Sequence, residues 1–64
     1  SRSALPERIY ASMFVNEQTY LAVSNLTGKP YRLELEGVWQ DRVTGKSGNT
    51  FTIEHERVCF FIRL

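Results

Sequence analysis

Apolar and polar residues alternate with a period of two along most of this chain, and no stretch shows the helical period of 3.6 residues. In "PYRLELEG", the side chains of Tyr31, Leu33 and Leu35 point to one face of an extended strand, and the Arg and Glu between them point to the other. In "NTFTIEHE", Phe51 and Ile53 repeat this pattern. The alternation predicts strands with one face toward a core and one face toward water.

Two further segments, "RIYASMFV" and "QTYLAVSN", carry apolar groups on both faces. Strands of this kind tend to lie centrally in a sheet or under another layer. Asn16 and Glu17 separate the two segments at the spacing of a tight hairpin, and Asn16 tolerates a left-handed backbone.

Turn residues divide the chain into six predicted strands. The segments "NLTGKP" and "TGKSGN" combine Asn, Gly and Pro and are strong turn signals, whereas "EHER" is a weaker one. The predicted strands are residues 8–15, 18–24, 30–36, 38–43, 50–54 and 57–64. Short, regular strands with few residues left for helix predict an all-β fold, a small antiparallel β-sandwich with Greek-key-like connections.

Length and composition indicate one small domain. The chain has 64 residues, of which 42% are hydrophobic, and this is a globular rather than a disordered composition. A chain of this size buries only about 60% of its unfolded surface, so we expect marginal stability. We interpret residues 1–7 as a linker or tag remnant and residues 8–64 as a single β-sandwich domain.

Charge and cysteine content argue against several classes of function. Eight Lys and Arg face seven Asp and Glu, and they are scattered rather than gathered into the basic stripe of a nucleic-acid binder. No apolar run reaches the length of a membrane span, and no signal peptide is visible. Cys59 is the only cysteine and lies in an apolar run, so we interpret it as a core residue. The composition slightly favours a cytoplasmic origin.

Few residues are candidates for catalysis. His55 is the only histidine, and its neighbours Glu54 and Glu56 point away from it on an extended chain, so neither a general base nor a metal site is indicated. Glu34 and Glu36 share one strand face, but a flat sheet face encloses no substrate for a carboxylate pair. The sequence therefore predicts no catalytic, cofactor or metal site.

Two polar residues have structural interpretations. Asp41 precedes a turn that contains Thr44 and Gly45, where its side chain is suited to capping the turn backbone. Asn25, at the end of its strand, is placed to act in the same way.

The large aromatic residues leave two interpretations open, a buried core and an exposed platform for a sugar or a partner domain. Tyr31 is in register with apolar residues and is predicted to be buried. Trp39 is the main candidate for an exposed ring that binds a ligand or docks onto a partner domain, and Tyr10 is the second. Burial or an interface is favoured, because a small domain needs its aromatic residues for burial.

The order of these features resembles the small C-terminal β-domain of glycoside hydrolases, and most closely that of TIM-barrel β-galactosidases. The resemblance covers residues 8–64 and is carried by "YLAVSNLTGKPYRLEL", "GVWQDRVTGK" and "FTIEHERVCFFIRL". The matching residues are Tyr20, Leu21, Val23, Asn25, Leu33, Leu35, Asp41, Thr44, Gly45, Phe51, Ile53, Phe60, Ile62 and Leu64. Relatives often carry Pro and Gly in the last turn, where this chain has "EHER", and α-amylase-like terminal domains share much of the pattern.

The resemblance implies a non-catalytic accessory domain. In that family the catalytic carboxylates lie on the barrel, so no catalytic residue is carried over to this chain. The domain would pack on the catalytic barrel of its parent chain and stabilise or help to assemble the enzyme. The alternatives are a carbohydrate-binding module that uses Trp39 or Tyr10, and a protein-interaction domain that self-associates through a sheet edge.

Overall fold

A computed structural model describes residues 5–64, and in this range the chain forms one antiparallel sheet of five strands without a helix. The strands are β1 (Ile9–Val15), β2 (Thr19–Asn25), β3 (Tyr31–Asp41), β4 (Ser47–Ile53) and β5 (Arg57–Arg63). Their order in the sheet is β1-β2-β5-β3-β4, so β5 returns to insert between β2 and β3. The predicted all-β antiparallel class is confirmed.

The structure has five strands in one open sheet, rather than the six strands predicted for a sandwich. The predicted strands 30–36 and 38–43 are the two halves of β3. They are joined at Gly37, which has a φ of +89°, and the pairing register shifts between Glu34 and Trp39. A bulge of this kind bends a strand without ending it, which is why a glycine between two strand-like segments does not mark a turn here.

The bend in β3 folds β4 over the side of β2 and β5 that holds the core. Both halves of β3 pair with β4, and Leu33 lies opposite Phe51 in the first half. The second half also pairs with β5 on its other side, where Asp41 lies opposite Phe61. The rings of Phe51 and Phe61 have centroids 4.6 Å apart, although β4 and β5 are not neighbours in the sheet. The curled sheet therefore packs against itself.

The core lies on the concave side of this sheet, which we call the inner face; the opposite side is the outer face. Its buried residues are Ile9, Leu21, Val23, Leu33, Trp39, Ile53 and Phe61. Tyr31 and Cys59 are partly buried and pack against this cluster. Their interpretation as core residues is confirmed.

Residues 1–4 of the predicted linker lie outside the described residues. Within the described part, the backbone N–H of Ile9 donates to the carbonyl oxygen of Pro6 at 3.2 Å. The N–H of Leu26 donates to the carbonyl oxygen of Arg8 at 2.9 Å, so the pairing of β1 with β2 extends one residue before β1 begins.

Candidate interaction surface

The outer face of β1, β2 and β5 carries a group of exposed apolar side chains. The strand register places them in adjacent rows, with Phe14 opposite Tyr20 at one end and Ser24 opposite Val58 at the other. We call five of these residues the outer patch: Tyr10, Phe14, Tyr20, Val58 and Phe60. Their exposed fractions range from 38% for Tyr20 to 57% for Tyr10.

The outer patch is large for a domain of this size. An aromatic side chain buries about 150–250 Å² when it is covered, so five side chains that are about half exposed offer about 400–500 Å² of apolar area. The largest apolar patch on a typical monomer covers about 300–600 Å² and often has a function. No charged residue occupies an outward-facing position of these three strands, because Arg57 and Arg63 alternate onto the other face of β5.

The outer face of β3 and β4 is different in character. It presents Arg32, Glu34, Thr50 and Thr52, all of them exposed. Arg32 Nε lies 3.6 Å from Glu34 Oε2 and both side chains are 71% exposed, so this surface ion pair contributes little to stability. The predicted solvated face is confirmed for these positions of β3 and β4, although Val38, later in β3, is an exposed apolar residue.

Trp39 is buried in the core and is only 4% exposed. Its indole Nε1 donates to the carbonyl oxygen of Glu36 at 2.9 Å, so burial leaves no unpaired donor. This corrects the expectation of an exposed Trp39 ring. Tyr10, the second candidate from the sequence, belongs to the outer patch.

Phe14 and Phe60 are surface candidates that the sequence reasoning did not single out. The signal for Phe14 was present in β1, where apolar residues occupy both faces of the strand. Phe60 lies in β5, where apolar residues also occupy both faces. That pattern indicated a central or covered strand, but β1 lies at the edge of the sheet and its outer face is exposed.

Asn25 is fully buried, and its side chain holds the turn after β2. Its Nδ2 donates to the carbonyl oxygens of Ile53 at 2.8 Å and Lys29 at 2.9 Å. Its Oδ1 accepts from the backbone N–H of Thr27 at 2.9 Å and from the Thr27 hydroxyl at 2.6 Å. The predicted capping role is confirmed, and the bond to Ile53 also ties β2 to the end of β4.

Asp41 caps the turn between β3 and β4, as predicted. Its Oδ1 accepts from the backbone N–H groups of Val43 at 2.8 Å and Thr44 at 3.2 Å. The carbonyl oxygen of Asp41 accepts from the N–H of Gly45 at 2.8 Å. The carboxylate therefore has a structural use.

Two shallow clefts adjoin this turn. One, of about 200 Å³, is lined by Asp41, Arg57, Cys59 and their neighbours, and the other, of about 310 Å³, by Asp41, Lys46 and theirs. Burial raises the pKa of the Cys59 thiol, the negative charge of Asp41 raises it further, and Arg57 partly offsets both effects. The thiol is therefore protonated at neutral pH and is a poor nucleophile.

His55 is exposed in the turn between β4 and β5 and lines neither cleft. Within residues 5–64, no three His, Cys, Asp or Glu side chains converge to hold a metal ion. The same range contains no helix of the length and apolarity that crossing a bilayer requires.

Comparison of the chain with protein-family models, with curated proteins and with solved structures found no match. The likeness to glycoside hydrolase terminal domains therefore stays a hypothesis drawn from the sequence.

Proposed function

We propose that this chain is a non-catalytic C-terminal accessory β-domain of a glycoside hydrolase of the β-galactosidase type. The order of strands and turn residues along the sequence supports the choice of family. The outer patch supports a docking role, because an uncharged group of half-exposed aromatic and aliphatic side chains is typical of a surface covered by a partner. That patch is the single observation that carries the proposal.

In this proposal the outer patch docks onto the catalytic barrel of the parent chain. Docking would cover the second face of β2 and β5, whose inner face already holds core residues, and of β1, which contributes Ile9 to the core. Strands with apolar residues on both faces are expected to lie under layers on both sides. The two-layer sandwich predicted from the sequence would then be completed by the partner surface.

The chemistry of the described residues supports an accessory role rather than a catalytic one. The Asp41 carboxylate is engaged by turn backbone, and the Cys59 thiol has a raised pKa. His55 stands on an exposed turn away from both clefts.

The test is a calorimetric titration of the purified chain with the catalytic domain encoded upstream in the same reading frame. We expect binding that Phe60→Asp weakens at least about tenfold, since a carboxylate in the outer patch must lose its hydration. Thr50→Asp adds the same charge to the solvated face of β4 and is expected to bind like the parent sequence. Circular dichroism checks that both variants stay folded.

Equal binding by the two variants would contradict docking through the outer patch. A reading frame without an upstream barrel that carries paired carboxylates would contradict the family assignment. Hydrolysis of nitrophenyl glycosides by the purified chain would contradict the non-catalytic role.

A carbohydrate-binding module is the second candidate, because several rings of the outer patch lie exposed on one sheet face. Such rings can stack on a sugar. Titration with a galacto-oligosaccharide in place of the catalytic domain separates the two functions. Binding of the sugar that is lost in Tyr10→Ala, with the fold intact, would favour this second function.

A further inference from the structure

Within residues 5–64, β1 lies at one edge of the sheet and pairs on one side only, with β2. Asn16 N–H donates to Gln18 O and Leu26 N–H donates to Arg8 O, so the even-numbered residues of this strand direct their backbone groups toward β2. The odd-numbered residues therefore direct theirs outward. These residues are Ile9, Ala11, Met13 and Val15.

This edge lacks the features that usually block pairing between sheets. β1 contains no charged residue, no Pro and no Gly. The opposite edge strand, β4, follows Lys46 and contains Gly48 and Asn49, and these residues weaken further pairing. The contrast identifies β1 as the edge that accepts another strand.

We propose that β1 pairs antiparallel with β1 of a second copy of this chain, forming a two-fold symmetric dimer with one continuous sheet. The outward backbone groups select the register, because an odd-numbered residue must lie opposite an odd-numbered residue to exchange hydrogen bonds. A register centred on Ser12 places Ile9 opposite Val15 and Ala11 opposite Met13 of the second copy. It uses every outward backbone group except the Ile9 N–H, which donates to the Pro6 carbonyl oxygen. The symmetry axis then passes between the two Ser12 residues.

This register is complementary in size and polarity. On the outer face, Tyr10 lies opposite Phe14 of the second copy, and aromatic pairs of this kind stabilise antiparallel strands. On the inner face, the small Ala11 lies opposite the long Met13. Since β1 has no charged side chain, no like charges oppose each other along the strand pair.

The area suits a weak, reversible dimer. Met13 and Val15 are 60% and 74% exposed, and Tyr10 and Phe14 are 57% and 56% exposed. At about 100 Å² for each of these side chains, and with the strand backbone added, the two copies together bury about 1,000 Å². That is close to the smallest area of a specific interface. The dimer goes beyond the proposed function, since it forms without a catalytic domain. It uses Tyr10 and Phe14 at the margin of the outer patch and leaves Tyr20, Val58 and Phe60 exposed.

The first test is sedimentation equilibrium of the purified chain between about 1 µM and 1 mM. We expect the mass to rise from that of the 7.4 kDa monomer toward that of a dimer. Met13→Lys should raise the dissociation constant at least about tenfold, because it brings two ammonium groups close to the symmetry axis. Thr52→Lys on the solvated face of β4 is the matched control and should leave the constant unchanged.

The second test measures whether the two Ser12 positions lie opposite each other in the dimer. The two Ser12 residues would form a non-hydrogen-bonded pair with Cα atoms about 4.5 Å apart, which lies within the range of a disulfide. In a Cys59→Ala background, Ser12→Cys should therefore oxidise to a covalent dimer. Asn49→Cys, at the β4 edge, should cross-link at least about tenfold more slowly under the same conditions. Circular dichroism of Cys59→Ala confirms that the background is folded.

A monomeric mass at every concentration would overturn the proposal whatever the cross-linking shows. Equal cross-linking by Ser12→Cys and Asn49→Cys would also overturn it. Failure of the docking proposal would leave both measurements unchanged, because neither uses a catalytic domain.

Discussion

The side chain of Asn25 forms hydrogen bonds both within its own turn and to Ile53 in β4, which is distant along the chain. Its side chain makes four hydrogen bonds within the protein, and its carbonyl oxygen accepts a fifth from the N–H of Glu56 at 2.6 Å. A buried amide with every bond made is tolerated in a core, whereas a buried polar group without a partner costs about 1–3 kcal/mol. Asn25 therefore stabilises the fold only through its complete set of partners.

We expect Asn25→Ala to lower the free energy of unfolding by about 2–4 kcal/mol, because it leaves the Thr27 N–H and the Ile53 carbonyl oxygen without this partner. Asn49→Ala, at an exposed position, should change it by less than about 0.5 kcal/mol. Urea unfolding followed by circular dichroism measures both values. Similar values for the two variants would show that the buried network contributes little.

The bend of β3 is the feature that decides how the elements combine. Gly37 has a φ of +89°, which L residues adopt only with strain, and the guanidinium of Arg63 lies against it. A Cβ at this position would lie 3.3 Å from Arg63 Nη2. The bend therefore needs glycine for its backbone conformation, and the contact with Arg63 adds a smaller requirement.

We expect Gly37→Ala to destabilise the protein by about 1–2 kcal/mol from backbone strain. Gly45→Ala has a similar φ of +80° but nothing within 4 Å of the new Cβ, so the difference between these two variants isolates the contact with Arg63. Gly28→Ala, with open space around its Cβ and no left-handed φ, should be nearly neutral. Thermal unfolding ranks the three variants by their loss of stability. A Gly37→Ala variant as stable as the parent sequence would contradict the strain argument.

The turn between β4 and β5 shows the same dependence on backbone conformation. Glu56 has a φ of +57°, in the left-handed region where Gly or Asn is the usual residue. The sequence "EHER" is a weak turn signal for this reason, yet the turn forms because Glu56 N–H bonds to the Asn25 carbonyl oxygen. A tertiary hydrogen bond here compensates for unfavourable local chemistry.

At the scale of the whole molecule, most of the buried apolar side chains lie on the inner face, and Ile62 is buried at an outer-face position. Single domains have a free energy of unfolding of about 0.05–0.15 kcal/mol per residue, so a chain of 64 residues has about 3–10 kcal/mol. The core that provides it is one cluster shared by all the strands. The loss of one large core side chain is therefore a large part of the total.

Phe60 and Phe61 are neighbours in sequence on opposite faces of β5, and they test this division. Phe61 is 0% exposed and stacks near Phe51, so we expect Phe61→Ala to cost about 3–5 kcal/mol and to unfold much of the protein. Phe60 is 51% exposed, and Phe60→Ala should cost less than about 1 kcal/mol. Urea unfolding followed by circular dichroism compares the two variants. Equal losses in the free energy of unfolding would contradict the assignment of inner and outer faces.

The local features of this fold could be predicted from the sequence because they depend on neighbours along the chain. Alternation predicts the inner faces of β3 and β4, where Leu33 and Ile53 are buried, and turn chemistry predicts the capping by Asp41 and Asn25. The antiparallel all-β class follows from the same short strands and tight turns.

The features that the sequence missed depend on residues far apart in the chain. The bend at Gly37 joins two predicted strands and brings β4 over β5, and no local pattern distinguishes such a bulge from a turn. The exposure of Phe14 and Phe60 was hidden because alternation does not say which face a neighbouring layer covers. The sequence by itself determined where strands form, since that depends on side-chain period and turn residues. The tertiary structure alone decided which apolar face is buried and which strand edge stays open, because both depend on strand order and on long-range packing.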